Sequence, residues 1–165
     1  MTALRRWHRW QARRIIVHQE INNTNPDQEN DMDTIRAVEY YVAEISNKAG
    51  EGARVLAALR GVNLLAFTGF PSGRKAQVDF VPEDAAAFKA AAKQAKLKVK
   101  AKKGGFLVQG DDRPGAVADL LQKLAAAKVN VTAIDAAAAG MGRWGAILWV
   151  KPQDAKKAAK ALGAA

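Results

Sequence analysis

The sequence predicts an α+β protein built from two ferredoxin-like βαββαβ units in tandem, with antiparallel sheets, helices on one face, and a second unit that lacks its last strand. Two observations predict the duplication. Strand-period and helix-period segments follow one another in the same order twice along the chain. Matching residues also recur at a near-constant spacing: Gly50 and Gly115, and Leu59 and Leu124, lie 65 apart, Val62-Asn63-Leu64 and Val129-Asn130-Val131 lie 67 apart, and Pro82-Glu83-Asp84-Ala85 and Pro152-Gln153-Asp154-Ala155 lie 70 apart. A third observation predicts the missing strand: after its last helical segment the sequence offers no counterpart to the lysine-rich strand of the first unit. On this reading residues 1–35 are a poorly ordered basic extension and linker, residues 36–104 the first unit and residues 105–165 the second.

In the first unit, Tyr40, Val42 and Ile45 belong to a strand that ends at Ser46-Asn47-Lys48-Ala49-Gly50. Glu51 to Arg60 sets Val55, Leu56 and Leu59 on one helical stripe, and Gly61 ends it. Val62 to Phe67 reads as a strand, Gly69-Phe70-Pro71-Ser72-Gly73 as a turn, and Lys75 to Val81 as the returning strand with Ala76, Val78 and Phe80 on one face. Pro82-Glu83-Asp84 opens an alanine-rich helix to about Ala95, its acids placed where the helix dipole favours them. Leu97, Val99 and Ala101 then alternate with Lys96, Lys98, Lys100 and Lys102, a strand with one buried face and a lysine row outside. The row has two readings: protection of a sheet edge against pairing, or a contact for phosphates.

The second unit runs through a strand at Phe106 to Gln109, a helix from Pro114 to Ala127, a strand from Val129 to Ile134, a turn at Gly140-Met141-Gly142-Arg143-Trp144-Gly145, a strand from Ala146 to Val150 and a helix from Pro152 to Leu162. Its corner, Gly110-Asp111-Asp112-Arg113-Pro114-Gly115-Ala116-Val117, passes from strand to helix. Asp112 is placed to cap the helix and Pro114 to sit in its first turn. Backbone N–H groups at such a helix start suit a small anion or zwitterion, and a plain connecting turn remains the alternative.

The 165 residues contain no cysteine and two histidines, His8 and His18, both in the extension. That removes thiol nucleophiles, disulfides and cysteine-based zinc sites, fits a reducing, cytoplasmic setting, and leaves the core without histidine. No HExxH, GxSxG or P-loop pattern is present, and no catalytic residue, metal site or cofactor is expected. No apolar run reaches the roughly 20 residues a membrane-spanning helix needs. The formal charge of +10 divides as +1 over residues 1–31, +6 over 32–104 and +3 over 105–165, so the excess sits in the folded part. In the extension Arg5, Arg6, Arg9, Arg13 and Arg14 interleave with Trp7 and Trp10. This pattern suits a membrane surface, a nucleic acid or a transit peptide, or is simply an extension. Met32 directly precedes the first strand and is the expected true start; an N-terminus upstream of it, found by mass spectrometry of the native protein, would refute that.

The succession of a strand, Asp112-Arg113-Pro114-Gly115, a helix with Leu120, Leu121 and Leu124, and the strand Val129-Asn130-Val131-Thr132-Ala133-Ile134 resembles the ACT domain family of regulatory ligand-binding modules. The resemblance covers about residues 36–162 and is clearest in the second unit. The first corner departs from it, with Asn47-Lys48-Ala49-Gly50 in place of the acid and the proline. It implies modules paired side by side, with an amino acid or similar effector bound between a first-strand corner and a neighbouring second strand. The residues so implicated are Asn47, Lys48, Ala49, Gly50 and Asn63 in the first unit and Asp112, Arg113, Pro114, Gly115 and Asn130 in the second. It further implies a non-catalytic module that senses for a separate protein partner. A homodimer is expected, formed through the edge that the missing strand leaves open. The rival reading is an RNA-binding ferredoxin-like domain, with Lys103-Gly104-Gly105-Phe106-Leu107-Val108 superficially like an RNP1 motif and Trp144 and Trp149 available for stacking.

Overall fold

The computed structural model describes residues 33–164, so the expectations for the arginine–tryptophan segment, His8, His18 and Met32 lie outside the described residues. The elements are β1 (Thr34–Ser46), α1 (Glu51–Ala58), β2 (Leu64–Ser72), β3 (Lys75–Pro82), α2 (Ala85–Gln94), β4 (Val99–Asp111), α3 (Ala116–Ala126), β5 (Val131–Gly140), β6 (Arg143–Val150), a 3-10 turn (Pro152–Asp154) and α4 (Ala155–Leu162). The six strands form one antiparallel sheet in the order β2-β3-β1-β4-β6-β5.

No strand follows α4 among the described residues, but the place of the second unit's last strand is not empty. β1 and β4 are each 13 residues long and serve both ends of the sheet. The C-terminal part of β1, from Tyr41, pairs with β3, and the C-terminal part of β4, from Gly105, pairs with β6. The N-terminal part of β1, Thr34 to Val38, lies along Gly105 to Gln109 of β4, on the side away from β6. That is the position a fourth strand would take, so the edge expected to receive a second copy of the chain is already occupied. Where Val38 and Tyr40 pair with Gly105 and Lys102, Lys103 and Gly104 stand opposite the single residue Glu39, a β-bulge in β4. Gly104 takes φ 97°, the left-handed conformation such a bulge asks of its glycine. The extra residue reverses the side-chain alternation, so Val99 and Phe106 both face helices despite their odd spacing.

The helices cover one face. Val55 and Leu59 from α1 and Phe88 and Ala92 from α2 pack on Tyr41, Ala43, Ile45, Val78 and Phe80. Phe88 lies 4.9 Å from the Tyr41 ring and 5.3 Å from that of Phe80, each such buried side chain contributing on the order of 2–3 kcal/mol. Leu120 and Leu124 from α3 and Ala158 and Leu162 from α4 pack on Ile35, Phe106, Val108, Trp144, Ala146 and Leu148. Both hairpins run longer than their glycines suggest. β2 continues through Pro71 to Ser72, which an edge strand tolerates because its outward N–H has no ladder partner to lose. Met141 and Gly142 both take positive φ, the two-residue turn that matches strand twist, so β6 begins at Arg143.

The opposite face is covered as well. Val81, Leu107, Ile147 and Trp149 are buried there with Val38, Tyr40, Leu65 and Ala66 against them, and Trp149 meets Tyr40 edge-on at 6.1 Å. The sheet therefore curls its helix-free face onto itself until the two edge strands touch, where Thr68 Oγ1 of β2 donates to Asp135 Oδ2 of β5 at 2.8 Å. Beside this clasp Asp79 is 5% exposed and accepts one hydrogen bond, from Gln77 Nε2 at 2.9 Å.

Burial raises the Asp79 pKa above the usual carboxylate value and the Asp135 charge raises it further, against the opposing pull of Gln77. The folded chain thus holds this proton more tightly than the unfolded chain does. The associated stability is full below the unfolded pKa and is lost as pH rises through the folded one. Asp79→Asn, which keeps an acceptor for Gln77, is expected to raise the melting temperature near pH 7, with the gain fading toward about pH 4. Equal melting temperatures for the two proteins across that range would contradict the assignment.

Candidate functional site

The β4–α3 corner and the strand β5 enclose an open cleft of about 220 Å³. One wall is Asp112, Arg113 and the helix start from Gly115 to Ala118; the other is Ala136, Ala137 and Ala138; Trp144 lies between them. Gly115 takes φ 86° and turns the chain into α3 with nothing within 4 Å of a side chain it would carry, so its backbone is open to the cleft. Asp112 does not cap the helix, contrary to expectation: no side chain caps α3, which begins at Ala116, while the Asp112 N–H donates to Gly142 O at 2.7 Å. The first-turn N–H groups thus lack the side-chain acceptor that Asp84 supplies to Ala86 and Ala87 at the start of α2. An uncapped helix start beside an exposed carboxylate offers donors for an anionic group and an acceptor for a cationic one.

The arginine of the corner is turned away from that task. Arg113 Nη1 and Nη2 donate to the two oxygens of Asp33 at 3.2 and 3.3 Å, and Nη2 also reaches Asp119 at 3.4 Å. Asp33 raises the guanidinium pKa further, chiefly through these hydrogen bonds. Its side chain is 8% exposed and also accepts from Trp144 Nε1 at 3.0 Å. The carboxylate lies against Gly110, where an added methyl group would come within 1.9 Å of Asp33 Oδ1. Asp33 and the alanines of β5 were not singled out from the sequence, and Trp144 was named only for stacking under the RNA reading. Asp33 stands 80 residues from Arg113, and no local spacing pointed to it. Asp111, beside the corner, pairs with Arg143.

The first corner is arranged differently. Asn47 is tied to the β2–β3 hairpin, its Nδ2 donating to Gly73 O at 3.2 Å and its N–H to Arg74 O at 3.1 Å. Lys48 and Ala49 are exposed, and Gly50 takes φ 83° at the start of α1. Asn63 and Asn130 are not brought to the corner of their own unit. Each precedes the end of its strand that is remote from the corner, about 20 Å away or more at the rise of an extended chain. Asn63 Nδ2 instead donates to Glu83 Oε2 at 2.9 Å and its carbonyl accepts from the Glu83 N–H, which holds the approach to α2. Asn130 is exposed just before β5. Pro114 is exposed between Arg113 and Gly115.

No protein-family model matches the chain, and no curated protein matches it in sequence. Solved structures do match in shape. The protein BT0572 from Bacteroides thetaiotaomicron superposes with a TM-score of 0.66 at 18% identity, over 78% of this chain and 88% of that one. The ligand-free regulatory subunit of aspartate kinase from Thermus thermophilus superposes at 0.55 and 20% identity, over 79% and 94%. The corresponding regulatory subunit from Thermus flavus gives 0.50 at 19%, over 80% and 95%. The fold is of the ACT type.

In this ACT-type sheet the requirements of the RNA reading are not met. An RNA platform needs an open sheet face with accessible aromatic rings. Here the helix-free face is buried against itself, Trp149 is 5% exposed within it, and Trp144 is 4% exposed on the helix side. The stretch resembling RNP1 straddles the β4 bulge, with Phe106 and Val108 in the α3–α4 core. Lys100 and Lys102 lie on the part of β4 that β6 does not pair, which suits protection of an edge. Among the described residues no three His, Cys, Asp or Glu side chains are grouped closely enough to hold a metal ion, and no helix is long and apolar enough to cross a membrane.

Proposed function

We propose that the chain is a non-catalytic regulatory module, a duplicated pair of ACT-type units that binds an amino acid or similar small zwitterion and signals to a separate protein in the cytoplasm. One observation carries the reading: the uncapped start of α3 and the Asp112 carboxylate face a cleft of amino-acid size. The ligand carboxylate takes the Val117 and Ala118 N–H groups, since that of Ala116 donates to Arg113 O, the α-ammonium group takes Asp112, and the side chain lies against Ala136, Ala138 and Trp144. Likeness of fold to proteins described as regulatory subunits supports a regulatory role over a catalytic one. The second strand of this unit, β5, is an exposed edge rich in alanine and placed beside the cleft. We propose its stretch beyond the Asp135 contact with Thr68 as the place where a second copy pairs to form a homodimer, instead of the edge that β1 occupies.

Thermal melts with each of the twenty amino acids are expected to show a rise in melting temperature with one or a few of them, about 2.7 kcal/mol of added stability at a hundredfold excess over Kd. Ala136→Phe, which fills the cleft from an exposed edge strand, is expected to remove that response and leave the unliganded melting temperature within about 2 °C, since surface changes of this kind stay near 0.5 kcal/mol. Sedimentation of the same samples reads the dimer. A wild-type protein that responds to no amino acid would refute the reading, and an undiminished response in Ala136→Phe would move the site elsewhere.

A further inference from the structure

We infer that Asp33 determines the specificity of the cleft: by engaging Arg113 it takes the corner's cation out of recognition, so that the site accepts amino acids with apolar side chains. This rests on the amino-acid reading above and names the class of ligand for the same cleft. Arg113 lines the cleft and, left to itself, is the group a second carboxylate would seek, because a guanidinium and a carboxylate make a strong paired hydrogen bond. Asp33 already occupies that geometry, with one oxygen on each terminal nitrogen, and Asp119 takes a further bond from Nη2. Arg113 therefore brings no uncompensated positive charge to the cleft. The facing wall of Ala136, Ala137 and Ala138 carries no charge either. An acidic ligand side chain meets no free cation, and a basic one finds Asp33 and Asp119 already paired with Arg113.

Asp33 also sets the apolar surface. Its carboxylate accepts from Trp144 Nε1 and so holds the indole in place between the walls, while Gly110 leaves the room that this contact needs. The other end of the sheet shows what the corner is without this arrangement. Ile45 and Ala76 pair there as Gly110 and Trp144 pair here, large and small exchanged.

Calorimetric titration with leucine, valine and phenylalanine against aspartate and glutamate tests the inference. Wild-type protein is expected to bind at least one of the apolar three about tenfold more tightly than either acid. Asp33→Asn, which keeps the size of the side chain and one acceptor for Trp144, frees the arginine and is expected to narrow or reverse that preference. Adding Arg113→Gln to Asp33→Asn should remove the gained affinity for acids. Should Asp33→Asn prove poorly folded, Asp33→Glu supplies the rescue arm, since it restores the pairing and should restore the apolar preference. A wild-type preference for acidic or basic amino acids, or a preference that Asp33→Asn leaves unchanged, would overturn the inference while the amino-acid reading stands. Binding of no amino acid at all would overturn both.

Discussion

Gly104→Ala is expected to lower the melting temperature by about 10 °C. Two costs combine. The residue takes φ 97°, which costs an L-residue about 1–2 kcal/mol. A methyl group there would also meet the Val150 carbonyl oxygen at 2.8 Å, a backbone atom that cannot rotate away, and overpacking of this kind costs about 1–3 kcal/mol. A loss near 3 kcal/mol, at about 2–4 °C per kcal/mol for a chain of this length, gives the expected shift. Gly73→Ala is the matched control: it has φ 64° but nothing within 4 Å of the added carbon, so it carries the first cost alone. Equal losses in the two variants, read by thermal melts, would show that the bulge does not need the close approach to β6.

The position of that bulge explains how much of the fold was legible. Each helix was visible because its buried residues recur at helical spacing, as Leu120 and Leu124 do, and each hairpin because glycine marks its turn. The sharing of β1 and β4 was not legible. Alternation is a local signal, and a bulge breaks it at the point where β4 passes from one half of the sheet to the other, so Leu97 to Lys103 and Phe106 to Gln109 read as two strands. Which strand fills the place beside Gly105 to Gln109 depends on pairing across some 70 residues, and periodicity carries no record of it. The burial of the helix-free face was hidden for a related reason. Val81, Leu107 and Ile147 sit between residues that face the helices, so these strands are apolar on both faces, a pattern shared by several kinds of packing.

At the candidate site, the corner itself was legible and its wall was not. The passage from strand to helix follows from the residues alone, but the helix was expected from Pro114, and the left-handed turn at Gly115 delays its start to Ala116. The two asparagines were assigned through the family resemblance alone; within the second unit Asn130 begins β5 and the corner meets the far end of that strand, where Ala136 to Ala138 form the wall. Alanine leaves no chemical signature in a sequence, and its contribution here is the space it does not fill. Asp33 was missed because its role is defined by three residues distant in sequence, Gly110, Arg113 and Trp144.

The second large effect is expected at Gly110, and it separates the fold from the site. An alanine methyl there would fall 1.9 Å from Asp33 Oδ1 and 2.8 Å from Trp144 Nε1. Asp33 must then leave, which strips Arg113 of its paired acceptor and leaves the buried Trp144 N–H without a partner, a cost of about 1–3 kcal/mol for the indole alone. Gly110→Ala is expected to lose about 2–3 kcal/mol in denaturant melts and, on the proposed reading, to weaken the response to the stabilising amino acid. Gly110→Ile should be worse on its own. Combined with Trp144→Ala it writes the Ile45–Ala76 pair of the first half into the second, and because the two side chains compete for one volume the double variant should recover at least about 1 kcal/mol over the sum of the single losses. Additive losses would mean that the two positions do not share that volume. If stability returns and ligand response does not, the pair Gly110 and Trp144 is dispensable to an ACT-type sheet and necessary to its cleft. Among the differences between the two corners, this one cross-strand exchange would then be the one that binding requires.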